Sequence, residues 1–150
     1  MPTKVSEYMT QKLITASPGM GIREAFFLMR EHTIRHLPIV GKEGELVGLV
    51  SDRELRRPSW VDEAPDLAHH YELDDQLEVK DIMVHNVFFV HTYDTLSKAV
   101  KLVLEHRIGA VPVKDKTDTL VGMLSAVDLL RALDDMIEVN KGIGKIKKAS

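Results

Sequence analysis

The stretch IRHLPIVGKEGELVGLVSDREL at residues 34–55 returns at residues 108–129 as IGAVPVKDKTDTLVGMLSAVDL. Pro38 and Pro112, Gly48 and Gly122, and Ser51 and Ser125 are each separated by 74 positions. Working outward from these anchors, residues 5–57 lie on residues 79–131 without a gap. Fifteen of the 53 pairs are identical, among them Met9/Met83, Ala25/Ala99, His32/His106 and Leu55/Leu129. A fixed period of this kind marks a duplicated structural unit. A unit of roughly 55 residues buries too little of its surface to be comfortable alone, so two copies sharing one core are expected.

Each copy carries the same succession of patterns. Leu13-Ile14 and Val87 to Val90 are short β-prone runs. Ile22, Ala25, Phe26 and Met29 keep helical spacing, as do Leu96, Ala99, Val100 and Val103. An apolar strand around a proline follows, at residues 36–40 and 110–114. A polar turn then leads to a third strand, at 46–50 and 120–124, and a helix opens at Ser51 or Ser125. The order is β-α-β-β-α, an α+β (mixed α/β) fold. A proline inside a strand predicts an edge or strand-start position, where the backbone is open to another partner. The organisation is repeat 1 at residues 1–58, an acidic connector at 59–77, repeat 2 at 78–137, and a basic tail at 138–150 expected to fray.

The bulk numbers narrow the classes. Apolar residues make up 44% and charged residues 29%, the balance of a soluble globular protein. The apolar runs are too short to span a bilayer, and Lys4, Glu7 and Lys12 interrupt anything like a signal peptide, so no membrane role and a cytoplasmic location are expected. A net charge of −3 argues against general nucleic-acid binding. With no cysteine, disulfide and thiolate chemistry are excluded.

The duplicated proline strand, with its G-x-x-S-x-x-[DE] ending at Gly48 to Glu54 and Gly122 to Asp128, resembles the CBS domain, here as a tandem pair (a Bateman module). The "IRHLP" and "SDREL" stretches and the long connector are similar to the bacterial acetoin-utilisation B group within that family. The resemblance implies a pseudo-twofold pair with two clefts between the repeats. Those clefts hold adenine nucleotides (AMP, ADP or ATP) or S-adenosylmethionine as regulatory ligands. It also implies a homodimer paired through the repeat helices, and a non-enzymatic sensor whose state passes to its own oligomer or to a regulated protein partner.

Carried onto this chain, the resemblance makes the two clefts unequal. In the first, Asp128 takes the ribose hydroxyls, with Ser125 and Thr92 beside it. Backbone groups of Ile108, Gly109 and Ala110, before Pro112, meet the adenine edge. Arg35 and His36 reach across from the other repeat to the phosphates. The second, weaker cleft has Thr15, Pro38, Ser51 and Glu54, with Glu in place of Asp and Pro18 where Thr92 stands.

Simpler readings stand beside these. S-x-x-[DE] at the start of a helix is a capping box. An Arg next to a His is commonly solvated surface. Metal spacing is conceivable for His32 with His36, and for Asp66, His69, His70 and Glu72, but His32 and its twin His106 sit at helix ends, where an imidazolium favours the dipole. Neither Ser51 nor Ser125 has an activating His at fixed spacing, so a nucleophile is not indicated. The main rival function is a ligand-free interaction scaffold with degenerate clefts.

Overall fold

The computed structural model describes residues 4–55 and 76–149, without the side chains of Glu54, Leu55 and residues 143–149. The connector, with Asp66, His69, His70 and Glu72, lies outside the described residues. Copy one contributes helix α1 (Ile22–Glu31), strands β1 (His36–Val40) and β2 (Leu46–Ser51), and the short helix α2 (Asp52–Leu55). Copy two contributes β3 (Val90–His91), α3 (Leu96–His106), β4 (Ala110–Lys114), β5 (Leu120–Ser125) and α4 (Ala126–Ala149). The proline strands fall where the sequence pattern puts them, and the following strands run one residue longer, to Ser51 and Ser125.

The duplication extends to backbone detail. β1 and β2 pair antiparallel with Pro38 opposite Leu49, and β4 and β5 with Pro112 opposite Met123. The register shifts at equivalent points, between Ile39 and Val40 and between Val113 and Lys114. A residue just past each first helix is left-handed at the same repeat position, Thr33 and Arg107 both at φ 53°. So is each hairpin turn, at Gly44 (φ 81°) and Asp118 (φ 63°). That conformation suits glycine, and an aspartate tolerates it better than most side chains.

Three expectations of local structure need correction. The run Leu13-Ile14, expected as the first strand of copy one, is not a strand, and only Ala16 bridges to Ile39 there. β4 is a central strand, between parallel β3 and antiparallel β5, rather than an edge. Its proline survives there because the β3 ladder covers only Val113 and Lys114, so Pro112 stands before that ladder begins. The tail also does not fray at Lys141: α4 continues to Ala149, with Lys141 3.6 Å from Glu138 one turn back.

The chain divides into two compact units that do not coincide with the two copies. One holds residues 1–13 with 88–150, the other residues 14–87. The opening segment of each copy is therefore built into the other copy's unit. Val5 and Val79 lead equivalent 3₁₀ turns and are fully buried. The Val5 N–H donates to the Asp94 carbonyl (2.9 Å), and the Val79 N–H to the Met20 carbonyl (2.8 Å). Thr10 bridges Met123 on β5, and Val84 bridges Leu49 on β2. Two glycines accept the incoming methionines. A Cβ on Gly48 would lie 2.3 Å from Met83 Sδ, and one on Gly122 would lie 2.7 Å from the Thr10 carbonyl oxygen and 3.3 Å from Met9 Sδ. Tyr8 secures its segment further by donating from its hydroxyl to Asp135 on α4, a bond that holds the phenol's pKa up to about 12.

Burial follows this exchange. The core is two clusters, one per unit, and not the single shared core expected from repeat size. One gathers Val5, Val90, Leu96, Ala99, Val111, Val113, Leu124 and Ala132; the other Ala16, Ala25, Met29, Leu37, Ile39, Val50 and Val79. Each unit closes its cluster with a valine borrowed from the opposite copy. Fully burying such a side chain stabilises by about 1.5–3 kcal/mol.

Candidate functional site

In copy two, the end of β5 and the start of α4 bring Ser125 and Asp128 together. The Ser125 N–H donates to Asp128 Oδ2 (2.9 Å), the Ser125 hydroxyl approaches the same oxygen (3.1 Å), and the Asp128 N–H donates to Ser125 Oγ (3.2 Å). This is the reciprocal capping box, so the simpler reading of S-x-x-D holds in the geometry. Arg131 adds a bond from Nη1 to Asp128 Oδ1 (3.2 Å). Asp128 is 3% exposed, the one buried charged side chain among the described residues. Its partners make burial tolerable, because an unpaired buried carboxylate would cost several kcal/mol. A carboxylate offers about four acceptor positions, so these bonds do not exhaust it.

Arg131 was not among the site residues read from sequence. Its signal was present: it stands three residues after Asp128, the spacing at which helical side chains meet, and it repeats Arg57.

The register of β4 and β5 sets Ala110 opposite Ser125, which places the stretch before the proline beside the serine. The Ala126 N–H donates to the Gly109 carbonyl (2.9 Å), closing the corner where α4 leaves the sheet, and the Ile108 N–H donates to Val103 (3.3 Å). Ser125, Asp128, Gly109 and Ala110 thus share one corner, with Pro112 two residues along. Thr92 is not in that corner. Its N–H donates to the Lys114 carbonyl (2.9 Å) at the far end of β4, four residues or roughly 13 Å away.

Copy one repeats the corner with other side chains. His36 is opposite Ser51, and the Asp52 N–H donates to the Arg35 carbonyl (2.9 Å), the counterpart of Ala126 and Gly109. The Ala16 N–H donates to the Pro38 carbonyl (3.1 Å), which places Thr15 next to the proline strand. The side chain of Glu54 lies outside the described residues. Leu37 and Ile39 point into the core, so strand alternation turns His36 and Pro38 to the other face. Arg35, just before β1, lines a cavity of about 490 Å³ beside Phe26, Met29 and Asp52. Arg35 and His36 belong to one compact unit and Asp128 to the other.

Among the described residues no group of three or more His, Cys, Asp or Glu side chains is arranged to hold a metal ion. None of their helices is long and apolar enough to cross a membrane.

Known proteins resemble this chain in sequence and in fold. The family model of the CBS domain matches the chain twice, over residues 5–59 and 79–135. A CBS domain-containing protein of Dictyostelium discoideum is 30% identical over 144 residues, covering 92% of this chain and 96% of that one. A homoserine O-acetyltransferase of Methanohalobium evestigatum is 33% identical over 134 residues; these span 89% of this chain but only 24% of that protein. Among solved structures, the CBS domain pair of protein MJ0100, in complex with 5′-methylthioadenosine and S-adenosyl-L-methionine, superposes with a TM-score of 0.75 at 26% identity, covering 91% of this chain and 99% of that one. CBSX2 in complex with AMP gives 0.71 at 27% identity, covering 89% and 97%. A putative acetoin utilization protein (AcuB) from Vibrio cholerae gives 0.73 at 27% identity, covering 95% and 98%.

Proposed function

Because the chain belongs to the CBS domain family and carries two repeats of it, we propose that it is a regulatory module that senses an adenosyl compound. The ligand class is an adenine nucleotide (AMP, ADP or ATP) or S-adenosylmethionine. The observation that carries the reading is the corner at Ser125 and Asp128. A buried carboxylate is held in a fixed rotamer by a capping box, beside a backbone corner built from Gly109 and Ala110. Two similar structures hold adenosyl ligands, one AMP and the other 5′-methylthioadenosine with S-adenosyl-L-methionine. We assign Asp128 to the ribose hydroxyls, Ile108, Gly109 and Ala110 to the adenine edge, and Arg35 and His36 to the phosphates. Pro112 and Ser125 complete that site, Thr92 standing apart at the other end of β4, and Thr15, Pro38, Ser51 and Glu54 form a weaker counterpart.

The proposed role is non-enzymatic, cytoplasmic and exerted through a homodimer or a regulated partner protein. A ligand achieves this only by binding one conformation more tightly than another. A thermal-shift panel of adenosine, AMP, ADP, ATP and S-adenosylmethionine tests the reading. A true ligand at about 100 times its Kd adds about 2.7 kcal/mol of stability. No shift with any member of the panel would leave the ligand-free scaffold as the better account.

A further inference from the structure

Asp128 Oδ2 takes two bonds from Ser125, one from its N–H (2.9 Å) and one from its hydroxyl (3.1 Å), and Oδ1 takes one from Arg131 (3.2 Å). A carboxylate offers about four acceptor positions, so one place remains, on Oδ1. A ribose presents two adjacent hydroxyls, at its 2′ and 3′ carbons, and a carboxylate that takes both needs two places. The corner is therefore one acceptor short of a full grip on the sugar.

The three donors differ in how readily they give way. The Ser125 N–H is backbone and stays with the first turn of α4. The Ser125 hydroxyl is tied at both ends, because its oxygen also accepts from the Asp128 N–H (3.2 Å). The Arg131 side chain is 69% exposed, against 4% for that of Asp128. A guanidinium already largely in water loses little when it lets go. Asp134, three residues further along α4, offers it another acidic partner at helical spacing. Arg131 alone can yield without undoing the cap. The same spacing of acid and arginine recurs in copy one as Glu54 and Arg57.

We infer that Arg131 and the second ribose hydroxyl contend for the same place on Asp128 Oδ1, so that Arg131 sets how strongly the site distinguishes a ribose from a deoxyribose. With Arg131 present, a second hydroxyl bond is offset by the loss of the arginine's. Either hydroxyl alone fills the vacant place, and removing the other matters little. Without Arg131 both hydroxyls bond, and each becomes necessary. Arg131 is thus a positioning residue that acts through Asp128. This inference rests on the assignment of Asp128 to the ribose.

The test is a calorimetric titration of AMP, 2′-deoxy-AMP, 3′-deoxy-AMP and 2′,3′-dideoxy-AMP into the wild type, Arg131→Ala and Arg131→Met. The methionine keeps most of the stem and loses the donors. Affinities are compared as ratios within each protein, so any attraction of Arg131 for phosphate cancels. In the wild type each monodeoxy ligand is expected within about threefold of AMP, and the dideoxy ligand weaker by about tenfold or more. In both variants AMP is expected to lead each monodeoxy ligand by about tenfold or more, because each hydroxyl then bonds to a charged acceptor. Unchanged ratios in the variants, with all four affinities lowered together, would show a merely structural arginine and overturn the inference. A wild type that already prefers AMP to both monodeoxy ligands by about tenfold would overturn it as well, since the diol is then held with Arg131 in place. Altered ratios in Arg131→Ala but not in Arg131→Met would trace the effect to the lost stem, again overturning it. Those three results leave the ribose assignment standing. Binding of the dideoxy ligand as tight as that of AMP, or no binding of AMP, would remove the ribose assignment and the inference with it.

Discussion

Asp128 combines two duties that pull against each other. As a capping residue it is satisfied by Ser125 and Arg131; as a ribose acceptor it must keep lone pairs available. Replacing it with Ala removes the cap and leaves the Ser125 N–H unpaired, which costs about 1–2 kcal/mol of stability. The same change removes a charged acceptor worth about 1.5–3 kcal/mol to a ligand, a loss of tenfold or more in affinity. Asp128→Asn separates the two duties, since an amide oxygen still accepts from Ser125 while the charge is gone. Denaturant melts and calorimetry on both variants check this. Wild-type binding by Asp128→Asn would remove the carboxylate from the ribose. Arg131, its third partner, is an example of a contact that spacing signalled but composition did not, because many i,i+3 pairs on exposed helices never meet.

At the scale of elements, the exchange of opening segments is the feature that sequence could not reveal. Met9 and Met83 are identical, as are Gly48 and Gly122, so a methionine packed on a glycine fits equally well within a copy or between copies. Duplication makes the two pairings indistinguishable by pattern. Strand and helix positions were legible because period-2 and period-3.6 burial is local, and β1, β2, β4 and β5 fall on the predicted residues within one position. The central place of β4 was not, since the length of β3 that spares Pro112 is a tertiary matter. The exchange predicts that residues 79–142 alone, one whole family repeat, fold poorly. A chain joining residues 4–13 to 88–142 through a flexible linker regains Val5 and Met9 and is the more stable, by about 1.5–3 kcal/mol for the fully buried Val5 with a smaller addition from the partly buried Met9. Circular dichroism melts of the two chains decide it. Equal melting would mean that the segment adds nothing to the unit it enters.

For the whole molecule, the two repeats keep one backbone and differ in what they present: Arg-His against Gly-Ala before the proline strand, and arginine against leucine on the helices. Similar hairpins and first helices carrying different side chains suit a molecule whose two copies have separate tasks. The most direct test is a calorimetric titration of adenosine, AMP, ADP and ATP into the wild type, into the double variant Arg35→Gly/His36→Ala and into each single variant. The account predicts saturable binding by the wild type, with nucleotides tighter than adenosine and the difference reduced by salt. It predicts that the double variant loses affinity for nucleotides while adenosine is nearly unchanged. Equal losses for adenosine and nucleotides would contradict the phosphate role, and no binding of any of the four to the wild type would contradict the adenine-nucleotide reading.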